Sequence, residues 1–528
     1  MILKSLFFLH LAKIFKTKGA ALVIFAIIGC WPFLFHDPYS LRLFTLAGIQ
    51  ILLVLGYQLI FGHIGALSLA QGCFFGLGAY MAGILARQTG LDFTVIAVCA
   101  IVFPGLVAAC IAIPVLRLET HYFALATLAL SQMVLILGLE WQAVTGGANG
   151  LSGIIGLNFF GWPVSRGAPF AWLVWLAVGL GAWLVWLMTR GSHRHRLALI
   201  RETPLMASAM GLDRDKMRFW FFLASAGFAG LAGAFHVYSQ TVVSPAVLHF
   251  DVLVTCLAMT VIGGQTRIAG AFLGGLLLLH LPEWFRFLEG WALFAYGLAL
   301  LLVILLAPEG IFGLFECGWR RFWRSFFPEP EQFSDQPAPS VKAQNDPQRP
   351  AVSARAQATV PEKPILTVEH LCKNYGGVQA LQDFALTLTP GEIVGLIGPN
   401  GSGKTTAINL LSGLEKADQG AIHVQGPDGG RNKPRIEMTK MAPFQRARLG
   451  LQRSFQTPEF PKSLTVKDCL TVTLQQAPSL STITGDRSKP PETIDACLDS
   501  FQLRAYRDHL CHTLPLPLIR RLDLARAL

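Results

Sequence analysis

The chain has 528 residues, of which 53% are apolar and 14% charged, a balance that fits neither one ordinary soluble domain nor a disordered chain. A formal charge of +11 does not point to nucleic acid, because in the first half Lys and Arg gather beside apolar runs, where they orient membrane segments. Ten scattered cysteines without a C-x-x-C pair exclude a sulfur framework and read as small apolar fillers. Cys511 with His509 and His512 is too small a set for a metal site.

In chain order, a basic cytoplasmic N-terminus, residues 1–18, precedes the apolar run Ala20–Phe35. That run has no small-residue cleavage site and is read as an uncleaved first span. A helix needs about 20 apolar residues to cross the hydrocarbon core. Ten spans are expected within a membrane domain over 19–312: 19–35, 42–61, 65–86, 93–116, 121–141, 169–189, 218–238, 247–264, 268–287 and 290–307. Lys4, Lys13, Lys16 and Lys18 before them and Arg320, Arg321 and Arg324 after them place both termini in the cytoplasm. Glycines at 72, 76 and 78, at 227, 230 and 233, and at 270, 274 and 275 suit close helix packing in lipid. Gln71 and Gln132 lie deep enough in their spans to line a polar path.

The same count puts the loop 190–217 on the cytoplasmic side with six Arg and Lys residues, and Arg218 directly after it. Within it Thr203 is placed to cap a short helix that has Pro204 first, Met206, Ala209 and Met210 on one face, and Gly211 at its end. Such a helix suits a groove on another body, or the lipid surface.

Residues 325–364 are rich in Pro, Gln, Ser, Ala and Asp and form an expected disordered linker. Residues 365–528 have the pattern of an α/β domain. Its centre is Gly398-Pro399-Asn400-Gly401-Ser402-Gly403-Lys404-Thr405-Thr406, a full G-x-x-x-x-G-K-[ST] between the apolar run 392–397, expected as a strand, and the helical run 406–411. Polyphosphate binding needs converging backbone N–H groups, which glycines allow. Lys404 reaches the β- and γ-phosphates and Thr405 offers its hydroxyl to Mg²⁺. Tyr375 lies some 23 residues upstream of Gly398, where a ring stacks on an adenine or packs in a core.

These motifs carry a resemblance. Gly62–Tyr80, Thr145–Gly150 and Ala229–Ala234 resemble the permease subunits of ABC importers for branched-chain amino acids, and residues 365–528 resemble the partner ATP-binding subunit fused behind them. The resemblance implies a multi-domain fold: an α-helical polytopic membrane domain followed by an incomplete α/β P-loop ABC nucleotide-binding domain. It implies ATP and Mg²⁺ as cofactors and a nucleotide site of Tyr375, Gly398, Asn400, Gly401, Ser402, Gly403, Lys404, Thr405, Thr406 and Gln456, with Gln456 as the Q-loop glutamine and Thr405 and Gln456 on Mg²⁺. It also implies a coupling helix of Thr203, Pro204, Met206, Ala207, Ala209, Met210 and Gly211. The implied partners are the membrane, a second permease subunit, a second ATP-binding subunit and a periplasmic solute-binding protein, in a multi-pass protein of the bacterial inner membrane.

The signature region departs from the family at Leu514-Pro515-Leu516-Pro517-Leu518, which loses a central Gly and adds a Pro. No counterpart of the Walker B strand, the catalytic Glu or the switch His is found. The expectation is a truncated product, or a fragment completed by another polypeptide, that binds nucleotide poorly, hydrolyses it scarcely and leaves strands of a parallel sheet unpaired. The function expected is ATP-driven uptake of branched-chain amino acids or a related small polar solute. The alternatives are a urea or short-amide importer, a non-catalytic membrane scaffold and an ion-coupled carrier with an unrelated tail.

Overall fold

The computed structural model describes residues 37–116, 118, 120–154, 156–284, 291–307, 310–314, 364–425, 435–476 and 494–527. The basic N-terminus, the first expected span, Arg320, Arg321, Arg324 and residues 325–363 of the linker lie outside the described residues. Contacts divide the chain into two compact units: Met1–His193 with Asp215–Pro330, and Arg194–Arg214 with Glu331–Leu528.

Along the chain run α1 (Pro38–Tyr57), α2 (Gln71–Gln88), α3 (Phe93–Val115), α4 (Thr120–Glu140), the hairpin β1 (Leu157–Phe159) and β2 (Trp162–Val164), and α5 (Ala168–Thr189). Then come α6 (Ser192–Glu202), α7 (Pro204–Ala209), α8 (Arg214–Gln240), α9 (Phe250–Gly263), α10 (Ile268–Trp284) and α11 (Ala292–Leu306). Five described stretches are long and apolar enough to cross a membrane: Pro38–His63, Phe93–Val115, His121–Glu140, Ala168–Thr189 and Arg214–Gln240. In the most apolar part of α1 83% of residues are buried, against 28% in α3, so α1 is the middle of the helical unit and α3 its outward edge. The helices α2, α3 and α8 touch through glycine. A Cβ on Gly78 would meet the backbone of Gly230, one on Gly230 the carbonyl of Ala100, and one on Gly233 the carbonyl of Phe75. Close backbone approach of this kind gives helices dense packing in lipid.

Two expected spans differ. The stretch expected as a helix from 65 begins only at Gln71. After α1 the chain passes through a π-helical turn, Gln58–His63, and residues 64–70 are not helical. Gly65 takes φ 78°, and the backbone freed from a helix finds partners on α4. Leu69 N–H donates to Thr127 Oγ1 at 2.9 Å, and Ser131 Oγ donates to the Leu69 carbonyl at 2.8 Å. Non-helical backbone is tolerated at membrane depth when protein groups satisfy it in this way. The stretch expected over 247–264 is a 3-10 turn, Pro245–Leu248, and then the 14-residue α9, shorter than the length a lone span needs.

Nor does Gln71 line a path. Its Oε1 accepts from Ser225 Oγ at 2.9 Å and its Nε2 donates to the Leu53 carbonyl at 3.3 Å, so it ties α1, α2 and α8 together. Gln132 is exposed on α4. Gln58, fully buried, donates to the carbonyls of Gly264 and Arg267, each at 3.0 Å, and so holds the turn between α9 and α10.

In the second unit, β3 (Leu366–Tyr375), β4 (Val378–Leu388), β5 (Gln419–Gln425) and β6 (Arg435–Glu437) form an antiparallel sheet in the order β4-β3-β5-β6. Its helices are α12 (Lys404–Ser412), α13 (Pro443–Arg448), α14 (Val466–Gln476), α15 (Ile494–Ser500) and α16 (Leu516–Ala527). The core joins Leu366, Val368, Leu371 and Ile422 of the sheet to Ala407 and Leu410 of α12, which seats the phosphate-loop helix on the sheet. The strand expected at 392–397 does not form. No described strand pairs with this segment, and Ile393 and Ile397 are 98% and 96% exposed. Apolar patterning supplies strand propensity, but a strand exists only through its hydrogen-bonded neighbour.

Candidate functional site

The loop from Gly398 to Gly403 turns tightly into α12. Gly401 and Gly403 have φ of 86° and 85°, a region in which residues with a Cβ are strained, and a Cβ on Gly403 would also strike the carbonyl of Ala380 on β4. A Cβ on Gly398 would stand 2.6 Å from Ser402 Oγ. Lys404 Nζ bends back into this ring, donating to the carbonyls of Gly398 at 2.7 Å and Pro399 at 2.6 Å and to Ser402 Oγ at 3.3 Å. Its charge is thus held beside the first, N–H-rich turn of α12, which attracts an anion. A phosphate oxygen there competes with neutral carbonyls for the ammonium, and the charged partner makes the stronger bond. Asn400 and Thr405 are exposed, and Thr406 is half-buried one residue further into the helix.

The sequence reading did not find the side chains that hold α12. Arg446, 2% exposed, spans four carbonyls: Nη1 donates to Leu410 and Leu411 at 2.6 and 2.8 Å, Nη2 to Thr439 at 2.8 Å and Nε to Met441 at 3.0 Å. It satisfies the open carbonyls that every helix leaves at its C-terminus. Burial pushes this guanidinium down to about 10, still far enough above neutrality to keep it charged. Arg453 Nη1 donates to Asn409 Oδ1 at 2.7 Å and to Ser412 Oγ at 2.8 Å, on the same helix.

That second clasp places the Q-loop candidate, because Arg453 stands three residues before Gln456. From the other side, Asp523 Oδ2 accepts from the Phe455 N–H at 2.9 Å, and Arg526 Nη2 donates to the Arg453 carbonyl at 2.7 Å and to Asp523 Oδ1 at 2.6 Å. Asp523 and Arg526 are buried, and Gln456 itself is exposed. Both lie on α16, which the two prolines do not prevent. The Pro515 carbonyl accepts from Leu518 and Ile519 at the helix start, and Pro517 falls in the first turn, where no intrahelical N–H is needed.

Tyr375 ends β3 with its ring 45% exposed and Lys373 Nζ 5.5 Å from the ring centroid. Asp418 holds this strand end, accepting from the Asn374 N–H at 2.7 Å and from Lys373 Nζ at 2.9 Å. The ring is on the surface of the unit, and the contacts join it to Lys373 rather than to the phosphate loop. No cluster of three His, Cys, Asp or Glu that could hold a metal occurs among the described residues.

The segment 203–211 folds inside this same unit. Pro204 opens α7, but Thr203 does not cap it, since its Oγ1 donates back to the Leu199 carbonyl of α6 at 3.3 Å. Gly211, at φ 81°, closes the helix: its N–H bonds the Ser208 carbonyl and the Leu212 N–H bonds that of Ala207, the paired bonds of a left-handed glycine cap. Met206, Ala207, Ala209 and Met210 are buried, whereas Leu205 is 62% exposed. Arg448 at the end of α13 donates from Nε to the Gly211 carbonyl at 2.9 Å. Glu202 accepts from Lys462 N–H at 2.6 Å and from Ser463 Oγ at 2.7 Å, and His195 Nδ1 lies 3.4 Å from Asp468 Oδ1. Nothing in the linear pattern named Arg448 or Glu202 as partners of this segment.

Residues 39–307 match the family described as branched-chain amino acid transport system, permease component, and residues 381–528 match the ABC transporter family. The chain is similar to the high-affinity branched-chain amino acid transport system permease protein LivM of Salmonella typhimurium, 29% identical over 323 residues that cover 56% of this chain and 75% of that protein. A probable ABC transporter ATP-binding protein of Azorhizobium caulinodans is 35% identical over 158 residues, 30% of this chain and 51% of that protein. A probable branched-chain amino acid transport ATP-binding protein LivG of Archaeoglobus fulgidus is 38% identical over 108 residues, 20% of this chain and 38% of that protein. The chain spans about half or less of the length of these two ATP-binding relatives. Since the permease match alone takes in just over half of the 528 residues, the chain belongs to the family of branched-chain amino acid transport permease components, and it carries an ABC transporter ATP-binding domain on the same polypeptide.

Proposed function

We propose that the protein is the membrane and ATP-binding part of a primary active importer of the bacterial inner membrane, with both termini in the cytoplasm. It takes up branched-chain amino acids or a related small polar solute, delivered by a periplasmic solute-binding protein, and works with a second permease domain and a second ATP-binding domain. The observation that carries this reading is the seat of α7: a segment between two apolar helices buries Met206, Ala207, Ala209 and Met210 in the unit that holds the phosphate loop, and Arg448 and the Lys462–Ser463 turn grip its ends. The names of LivM and LivG support the solute class.

In this reading the N–H groups of Gly398 and of Asn400 through Thr406, with Gly401, Ser402 and Gly403 among them, surround the phosphates, and Lys404 exchanges its loop carbonyls for phosphate oxygens. Thr405 and Gln456 would hold Mg²⁺ through their side-chain oxygens, and the ion would offset phosphate charge when bound. The exposed Tyr375 ring stacks on the base. Bound ATP supplies the charge that draws these groups together and the free energy of its hydrolysis. The clasp of Arg453, Asp523 and Arg526 fixes the backbone around Gln456, so that a shift at the phosphates is passed to the unit that grips α7.

The test is solute uptake into proteoliposomes that contain the full chain with its partner domains and binding protein. ATP-dependent leucine uptake is expected, and Lys404→Ala should reduce it to background. Uptake that survives Lys404→Ala, or that follows a proton gradient without ATP, would overturn the reading.

A further inference from the structure

In the helical unit three helix ends meet beside a cleft of about 320 Å³, lined by Leu157, Val164, Ser165, Arg166, Phe170 and Tyr238. Phe93 opens α3, Phe170 stands in the first turn of α5, and Tyr238 lies near the end of α8. Their rings pack around Phe235, whose centroid is 5.0 Å from that of Phe93 and 6.3 Å from that of Phe170, while Phe93 meets Tyr238 edge-on at 5.2 Å. The β1–β2 hairpin adds Leu157 and Val164, which face each other in its ladder. Because α5 ends beside Arg190 and α8 starts at Arg214, the cleft is at the end of the helices away from the basic loop.

The surface around the cleft suits the boundary between headgroups and hydrocarbon. At the hairpin tip Phe160 and Trp162 are 71% and 78% exposed. Large aromatic side chains left uncovered are unfavourable in water and collect at the headgroup level of a bilayer. The Gly161 N–H donates to Asp92 Oδ2 at 3.1 Å, which fastens the tip to the start of α3. That helix is the outward edge of the unit, with Val95, Val98 and Val102 exposed along it. On α5 the exposed residues Trp172, Leu176 and Leu180, four apart, form a stripe that starts in the same turn as Phe170. The hairpin tip and the cleft therefore continue the apolar faces that a membrane helix turns to lipid.

The rim differs from the floor. Leu157, Phe170 and Tyr238 are buried, whereas Ser165 and Arg166 are exposed. The Arg166 side chain makes no hydrogen bond or ion pair with any described residue. One cation over an apolar floor, at the end of a bundle, matches an anion that carries a hydrocarbon tail.

We propose that this cleft holds a phospholipid of the leaflet away from the basic loop. The phosphate sits on the Arg166 guanidinium, whose fork fits phosphate oxygens, and Ser165 offers a hydroxyl beside it. One acyl chain covers Leu157, Phe170 and Tyr238 and continues along the stripe of α5. A lipid so held joins the hairpin to the ends of α5 and α8. The inference goes beyond the importer reading: it needs only that the bundle stands in a bilayer, and it does not depend on which solute is carried or on ATP.

The test is photo-crosslinking of the full chain in phosphatidylglycerol nanodiscs with two probes that carry a diazirine at the same acyl position, phosphatidylglycerol and diacylglycerol. Labelled residues are located by peptide mass spectrometry, and labelling at Leu157, Phe170 and Tyr238 is divided by that at Leu176 and Leu180. This ratio should be roughly tenfold higher for phosphatidylglycerol than for diacylglycerol, the worth of a charge-assisted contact. Arg166→Gln should abolish the preference and Arg166→Lys should keep part of it, with labelling at Leu176 and Leu180 unchanged as the sign that each variant stands intact in the bilayer. The proposal fails if the cleft residues are not labelled, if the two probes label them equally in the unaltered chain, or if the preference survives Arg166→Gln. Displacement of the probe by free leucine would make the cleft a solute site and overturn the proposal as well. ATP-dependent uptake is measured separately, so its loss would sink the importer reading and leave the lipid site standing.

Discussion

In the helical unit Gly78 and Gly230 leave no room for a Cβ because another helix's backbone occupies its place, whereas in the phosphate loop Gly401 has open space around it and is required for its φ of 86°. One residue type thus meets two demands, volume in the first unit and backbone conformation in the second. The first demand comes from residues far away in the chain, the second from immediate neighbours. The two should therefore fail differently under substitution.

The largest effect is expected at Gly230. A Leu there collides with the Ala100 carbonyl and Pro104 and forces α3 from α8, a cost of about 3 kcal/mol or more, seen as a lower thermal midpoint of the full chain in detergent. Arg446→Met comes next. It strands the carbonyls of Leu410, Leu411, Thr439 and Met441 for a loss of about 2–4 kcal/mol, to be read as faster hydrogen exchange across residues 404–412.

Gly401→Ala meets no atom and suffers only the left-handed conformation, about 1–2 kcal/mol, confined to exchange in the same loop. Should it lower the midpoint as far as Gly230→Leu does, the distinction between volume and conformation is wrong. The smallest effect belongs to Asp418, where neither is at stake. The Asn374 N–H and then Lys373 hold this exposed carboxyl below its ordinary range. A depressed value means that its contribution is complete above the ordinary carboxylate range and is lost as pH falls through the lowered one. Exchange at the Asn374 amide, beside Tyr375, should accelerate on acidification through that window, and Asp418→Asn should remove the pH dependence.

The same contrast explains how much could be read in advance. The phosphate loop was legible because its glycines, Lys404 and Thr405 are contiguous and each answers to its neighbours. The short helix at 204–209 was legible for the same reason, from Pro204 and Gly211, although Thr203 bonds backward instead of capping it. Gln71 was misread as a path residue, since nothing near it in sequence announces Ser225 as its partner. The grips of Arg446, Arg453 and Asp523 were likewise invisible, because the partners of a buried or half-buried charge lie far away in the chain.

Sequence by itself determined that this chain has an apolar helical half, a phosphate loop and a capped turn between them, because helix period, left-handed glycine positions and hydropathy are properties of adjacent residues. Tertiary structure alone decided that the helix expected from 65 begins at Gln71, that 392–397 stays unpaired and that residues 194–214 belong with the second unit. A backbone hydrogen bond, a strand ladder or a packed face exists only with a partner. Which distant residues become partners is settled by packing in three dimensions, and local pattern does not encode it.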